Sequence, residues 1–246
     1  MPGKAFVRQR IVLLVGGGSL LAVALGLAFA VWWRARQESG SAWGAGAQGK
    51  NALLAEAAEK GLTSAVKLRL GWGEPADATD AFGLTPLDYA ARGGHPEVIK
   101  LLLGAGAHAD RRGDRGWMPL HVAAGVGHVA VAELLIANGA PVGVSDESGL
   151  TPLHHAAAEG HQEMVGLLLS HGAEASPKDN LGWTPLHHAA YEGRVEVVKL
   201  LLDHGADPAA RNQAGLTPLQ EAERHGGAEV VAWLSRDKGG GGDAGH

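Results

Sequence analysis

Pro86, Pro119, Pro152, Pro185 and Pro218 stand 33 residues apart, each ahead of a Leu and each followed by an Ala-rich and then a Leu-rich run. A fixed period in the range of about 20–50 residues marks a chain built from stacked units rather than one continuous core. The period also reinterprets the most reactive-looking stretch. His187 and His188 lie close to Glu192 and Glu196, a grouping that in isolation suggests a metal or acid–base site, yet residues 149–174 write the same frame again with His154 and His155. A catalytic centre occurs once in a chain, whereas side chains that recur with the period serve the stack.

Within one unit, Thr184 before Pro185 suits the cap and first position of a helix, because the hydroxyl accepts a free helix N–H and Pro has none to lose. Leu186, Ala189 and Ala190 follow on one face, and Gly193 permits the left-handed backbone that ends the helix. A second helix from Val195 to Asp203 carries Val197, Val198, Leu200, Leu201 and Leu202 and stops at Gly205. Such a pair cannot cover its own apolar faces, so it requires neighbours. The same start signals recur at Thr85 and Pro86, at Pro119, at Thr151 and Pro152, and at Thr217 and Pro218.

The strings T-P-L-H-x-A-A, a central G-H and a closing L-L-L-x-x-G-A-D resemble the ankyrin repeat, over residues 85–110, 118–142, 151–175, 184–208 and, shortened, 217–234. One period upstream, residues 51–77 keep Leu54, Ala57, Val66 and Leu70 in register without TPL and look like an N-terminal capping repeat. The resemblance implies an all-α solenoid over residues 51–236, with helix–turn–helix units at about 51–82, 83–115, 116–148, 149–181, 182–214 and 215–236 joined by β-turn fingers. It also implies that His121, His154 and His187 hydrogen-bond loop backbone. Met118 replaces the capping Thr, Asp88 and Gln220 replace the His, and Gly113 stands where other units have Asp80, Asp146, Asp179 or Asn212. Restoring Thr at position 118 is expected to stabilise by about 1 kcal/mol. His155 and His188 share their place with Tyr89 and Val122, so that place reads as indifferent to side-chain type, and His161 with Glu163 reads as an ordinary solvated face. Equivalent positions on stacked helices lie about 10 Å apart, whereas two zinc-bound nitrogens each sit within about 2.1 Å of the ion. No metal ligand is therefore expected, and a histidine-based metal buffer is only a remote alternative.

The resemblance further implies a concave binding surface made of the fingers and the exposed side of each first helix. Its candidates are Phe82, Leu84, Asp114, Arg115, Trp117, Glu147, Ser148, Leu150, Asn180, Leu181 and Trp183 from the fingers, with Arg92 and Tyr191 from the helices. Aromatic residues and Arg dominate binding hot spots, so Trp117 and Trp183 are expected to touch a partner. Thr85, Pro86, Pro119, His121, Thr151, Pro152, His154, Thr184, Pro185, His187, Thr217 and Pro218 repeat and are expected to be structural.

Residues 11–33 hold 23 side chains and no charge. At about 1.5 Å per residue a helix of that length crosses the ~30 Å hydrocarbon layer, and Trp32, Trp33 and Arg34 supply an interfacial anchor. Lys4, Arg8 and Arg10 in the flank 1–10 outnumber Arg34 and Arg36, which places the flank in the cytoplasm and the remainder outside it. Ala28-Phe29-Ala30 matches a signal-peptidase pattern, but the apolar run exceeds a signal core and favours an uncleaved anchor. The alternative is a cleaved, soluble exported protein that inhibits or stabilises an enzyme. Gly18, Ala22, Gly26 and Ala30 recur every four residues, a stripe suited to self-association of the anchor. Residues 34–50 read as a flexible linker and 237–246 as a disordered tail.

The chain has no Cys, which excludes disulfides and thiolate zinc sites. Residues 1–50 hold six of the 21 basic side chains and one of the 26 acidic ones, leaving 15 against 25 and a net charge of −10 for the rest. That balance repels a phosphate backbone, so nucleic acid is not an expected partner. G-x-S-x-G, Walker-type and H-E-x-x-H strings are absent, so neither catalysis nor a cofactor is expected. The sequence points to a non-catalytic scaffold for an unidentified protein partner, tethered to the membrane through residues 11–33.

Overall fold

The computed structural model describes residues 52–80, 83–225 and 227–237. The flank 1–10, the apolar run 11–33 with its small-residue stripe and cleavage pattern, the linker 34–50, Phe82 and most of the tail lie outside the described residues. Among the described residues no helix is long and apolar enough to cross a membrane, and no β-strand occurs.

Twelve α-helices follow in six pairs among the described residues: α1 (Ala52–Glu59) with α2 (Thr63–Gly71), α3 (Pro86–Gly93) with α4 (Pro96–Gly104), α5 (Pro119–Val126) with α6 (Val129–Ala137), α7 (Pro152–Glu159) with α8 (Gln162–Ser170), α9 (Pro185–Tyr191) with α10 (Val195–Asp203), and α11 (Pro218–His225) with α12 (Ala228–Asp237). Each first helix packs on the first helix of the next pair and each second helix on the next second helix, so two helical layers run side by side. Ala90, Ala123, Ala156 and Ala189 are fully buried in the first layer, where the absence of a side chain beyond Cβ lets helices approach. Leu102, Leu135, Leu168 and Leu201 are fully buried in the second, each contributing about 1.5–3 kcal/mol of apolar transfer.

Helix starts follow the Thr-Pro signal. The hydroxyls of Thr85 and Thr184 accept from the backbone N–H of Asp88 (3.3 Å) and His187 (3.4 Å), and proline occupies the first turn. Met118 offers no side-chain cap, as expected, but the gain expected from restoring Thr there does not follow. Its side chain is only 1% exposed, so it fills the core, and what it lacks in capping it returns in burial.

A second set of contacts locks adjacent pairs. His95, His128 and His161 donate from Nε2 to the carbonyls of Glu59 (2.8 Å), Arg92 (3.1 Å) and Gly125 (3.2 Å), and Arg194 donates from Nε to Ala158 (3.0 Å). Every one of these bonds reaches back 36 residues. Gly94 shows what the ladder demands: it adopts φ +70, and a Cβ there would fall 2.6 Å from the His128 ring. His161 is thus a member of an inter-unit ladder and not the solvated group that the sequence suggested.

Candidate partner-binding ledge

Four fingers are closed by an Asp or Asn side chain, and the finger with Gly113 is not. Asp146 Oδ1 accepts from the N–H of Ser148 (2.8 Å) and Leu150 (2.9 Å), and Asp179 Oδ1 from Leu181 (2.9 Å) and Trp183 (2.8 Å). Asp80 and Asn212 accept from Leu84 and Leu216 at 3.0 Å. The other side-chain polar atom turns toward the helix nine residues on. Tyr89 O–H donates to Asp80 Oδ2 (2.6 Å), His188 Nε2 lies 3.1 Å from Asp179 Oδ2, His155 Nε2 lies 3.8 Å from Asp146 Oδ2, and Asn212 Nδ2 donates to Glu221 Oε1 (2.7 Å). The place after the TPLH slot is therefore not indifferent to side-chain type: it takes a polar group where the finger holds Asp or Asn. The unit with Gly113 has Val122 there, so both halves of the pair are missing together.

Without an acceptor at Gly113 that finger takes another path. Residues Asp114–Gly116 form a 3-10 turn in which Arg115 adopts φ 57, the one left-handed non-glycine residue among those described. A side chain in that region costs roughly 1–2 kcal/mol, because Cβ crowds the following carbonyl.

The fingers are then joined edge to edge. Backbone N–H groups of Glu147, Asn180 and Gln213 donate to the carbonyls of Arg115 (2.9 Å), Ser148 (3.0 Å) and Leu181 (2.9 Å). The side-chain amides of Asn180 and Gln213 donate to the carbonyls of Glu147 (2.7 Å) and Asn180 (2.8 Å). A continuous ledge results from Arg115 to Gln213, already ordered, so a ligand docking on it loses little entropy to loop immobilisation.

Arg115, Glu147 and Asn180 are exposed on this ledge, and Leu84, Trp117, Ser148, Leu150 and Leu181 are partly exposed. Trp183 is a correction: at 3% exposure it is core, wedged against the rings of His188 (5.1 Å), Tyr191 (5.5 Å) and His187 (5.9 Å). Its finger Asp holds His188 in place, and that imidazole covers the indole. Tyr191 continues the same stack to His225, 4.2 Å away, and is half-buried. Arg92 is also half-buried; it pairs with Glu59 of the preceding unit and lies over the Tyr89 ring at 4.8 Å, so it staples two units. Trp117 keeps a partly exposed face while its ring lies 4.6 Å from that of His155.

Behind the ledge sit the repeated histidines. The N–H groups of Met118, Thr151 and Thr184 donate to Nδ1 of His121 (3.3 Å), His154 (3.0 Å) and His187 (3.2 Å). On the far side of the ring, Nε2 of His154 and His187 donates to the carbonyls of Trp183 (3.2 Å) and Leu216 (3.1 Å) in the next finger. Both bonds require a neutral ring with its proton on Nε2. Burial pushes the pKa down accordingly, to about 3 for His121 and His154 and to about 4 for His187. Asp88 supplies the same acceptor in its unit, taking the Thr85 N–H at 2.7 Å, and burial pushes its carboxyl up to about 6. Gln220 Oε1 accepts from Thr217 N–H at 3.0 Å. Burial raises the Asp146 and Asp179 carboxyls, but the neighbouring imidazoles of His155 and His188, with the finger N–H donors, outweigh it and hold both below the usual range. Among the described residues no three His, Asp or Glu side chains converge as a metal site.

The family described as "Ankyrin repeats (3 copies)" matches residues 53–146, 94–179, 133–212 and 173–243, and the matched residues span most of the chain. The chain belongs to the ankyrin-repeat family. Ankyrin repeats are protein–protein interaction modules, and the helix pairs and fingers described above are the parts such a module is made of. No curated protein matches the chain.

Proposed function

We propose that this ankyrin array is a non-catalytic scaffold that binds one protein partner along the ledge, carried on residues 11–33 as an uncleaved anchor with the array outside the cytoplasm. In this reading the array comprises six ankyrin units, the first of them, about 51–82, being the N-terminal cap. One observation carries the binding assignment: side chains repeated with the period, such as Thr184, Pro185, Leu186 and His187, are buried, while Arg115, Glu147 and Asn180, which differ from unit to unit, are exposed. The first set serves the stack, and the second, exposed along the ledge, is the set a partner would meet. The mixture of Arg115, Glu147, Asn180 and the partly exposed Trp117 fits a polar rim around an aromatic contact, the usual anatomy of a protein interface. The uncharged run of 23 residues and its basic flank support the tether and its orientation.

The test uses the whole chain in its own membrane. Intact mass distinguishes a chain beginning at Met1 from one beginning at Val31, and protease accessibility in sealed vesicles of either sidedness reports which face carries the array. Affinity capture is then run with the natural chain and with Arg115→Ala, Glu147→Ala and Asn180→Ala combined. A partner held by the first and lost by the second, with unchanged circular dichroism, supports the ledge; a partner held equally by both moves the interface elsewhere.

A further inference from the structure

The four large apolar side chains exposed among the described residues, Leu53, Leu62, Leu68 and Trp72 at 46, 50, 52 and 66%, all belong to the first helix pair. The terminal unit of a solenoid ordinarily turns a polar face outward, because no neighbour covers it. Comparison along the period shows how unusual this one is. The place of Leu62 is taken in later units by His95, His128, His161 and Arg194, the donors that reach back to the preceding unit. Leu62 can donate to nothing, so the face is not built to receive another unit of the same kind. The place of Trp72 is taken by Ala105, Asn138, His171 and His204, all small or polar and all exposed. Leu68 and Trp72 are four residues apart and share a side of the helix.

The chemistry around this patch is that of a lipid interface. α2 carries Lys67 and Arg69 and no acidic residue, in a chain whose residues beyond the first fifty are net acidic. The Arg69 guanidinium is ion-paired with Glu74 at 2.8 Å and lies 5.5 Å from the centre of the Trp72 ring, so the exposed Lys67 is the cation of α2 turned to meet an anionic headgroup. Leu and Trp on one side with Lys and Arg beside them is the composition of helices that lie in the headgroup layer. Residues 34–50, a stretch of 17, join this unit to the apolar run 11–33. Seventeen residues extend to at most about 60 Å, so a bilayer crossed by that run lies within reach of the unit. A second copy of the chain is a poorer occupant, since four half-exposed side chains offer on the order of 400 Å² against about 800 Å² per partner in a stable interface.

We propose that the outer face of the first unit, through Leu53, Leu62, Leu68 and Trp72, docks on the headgroup layer of the bilayer that residues 11–33 cross, and so sets the orientation of the ledge. The proposal rests on the tether reading, and its test separates the two. Because the natural chain has no Cys, single labelling sites are clean. The whole chain, carrying an environment-sensitive fluorophore at Leu68→Cys, Trp72→Cys or Asn138→Cys, is reconstituted in phosphatidylcholine–phosphatidylglycerol vesicles with and without doxyl-labelled lipid. Lipid-borne quenching is expected to be several-fold greater at positions 68 and 72 than at 138, which holds the Trp72 place two units on. Adding Leu62→Glu and Trp72→Glu to the Leu68→Cys chain is expected to reduce its quenching to the Asn138→Cys level while flotation with the vesicles and the circular dichroism spectrum stay unchanged. Equal quenching at all three sites in a chain that floats overturns the docking and leaves the tether standing. Shielding of positions 68 and 72 from aqueous iodide without lipid quenching, together with energy transfer between differently labelled chains, assigns the face to a second copy and overturns it. A chain that does not float with the vesicles overturns the tether and the docking with it.

Discussion

Acidification from about pH 8 to about pH 5 is expected to destabilise the array by about 5 kcal/mol, and the histidines behind the ledge supply most of the effect. His121 and His154 titrate at about 3 and His187 at about 4 in the folded chain, against 6.5 when unfolded. A His whose pKa is depressed by folding favours the native state fully above the unfolded value, and that contribution is lost as pH falls from about 6.5 toward 3–4, because only the unfolded chain gains the proton. At about pH 5 each ring costs about 2 kcal/mol, or about 6 for three. Asp88 acts in the opposite direction, since its carboxyl titrates at about 6 folded and 3.8 unfolded. It is protonated first in the native state and returns about 1 kcal/mol at the same pH. Asp146 and Asp179, held below 3.8, add acid sensitivity only in more acidic solution. A loss of about 5 kcal/mol rivals the whole stability of many domains. Urea unfolding followed by circular dichroism across the pH series measures it. His154→Gln provides the control, because Gln220 already fills the equivalent slot and accepts the same cap N–H. It is expected to remove about 2 kcal/mol of the pH dependence. A stability that stays level between about pH 8 and pH 5, or a His154→Gln chain with the natural pH slope, refutes the reasoning.

Met118→Thr is expected to destabilise by about 1–3 kcal/mol, the lost core volume exceeding the ~1 kcal/mol of a regained cap; a rise in the urea midpoint would contradict this. Arg115→Gly relieves the left-handed backbone and is expected to stabilise by about 1 kcal/mol while weakening partner capture. Loss of stability there would mean the arginine side chain holds the finger. Trp183→Ala is expected to cost about 3–5 kcal/mol of stability through its cavity, and partner affinity unchanged after correction for folding is the companion result. Native-state hydrogen exchange is expected to be slowest between Thr151 and Asp207 and fastest toward both ends, where a unit has one neighbour instead of two; slowest amides in α1 or α2 would exclude end-fraying.

The sequence alone determined the parts of this protein that are written in local signals. The Thr-Pro starts, the Gly stops and the apolar spacing act within about ten residues of chain, and their repetition at 33 residues identified a stack of helix pairs and placed the helix from Val195 to Asp203 with its observed ends. The register of Leu54, Ala57, Val66 and Leu70 in the first helix pair was read on the same spacing, and the first three are buried while Leu70 is partly exposed. Only the tertiary structure decided what depends on one unit meeting the next. Trp117 and Trp183 occupy the same place in the frame, yet one is partly exposed and the other is core, because Asp179 and His188 stand where the neighbouring unit has Gly113 and Val122. His161 looked solitary because its acceptor, the carbonyl of Gly125, is 36 residues away and carries no side-chain signature. A backbone carbonyl leaves no mark in the amino-acid sequence, and a pairing at nine residues through a finger is visible only when the finger is folded. The order of the units was therefore readable from local chemistry, while which side chains each unit buries against its neighbour was settled by packing.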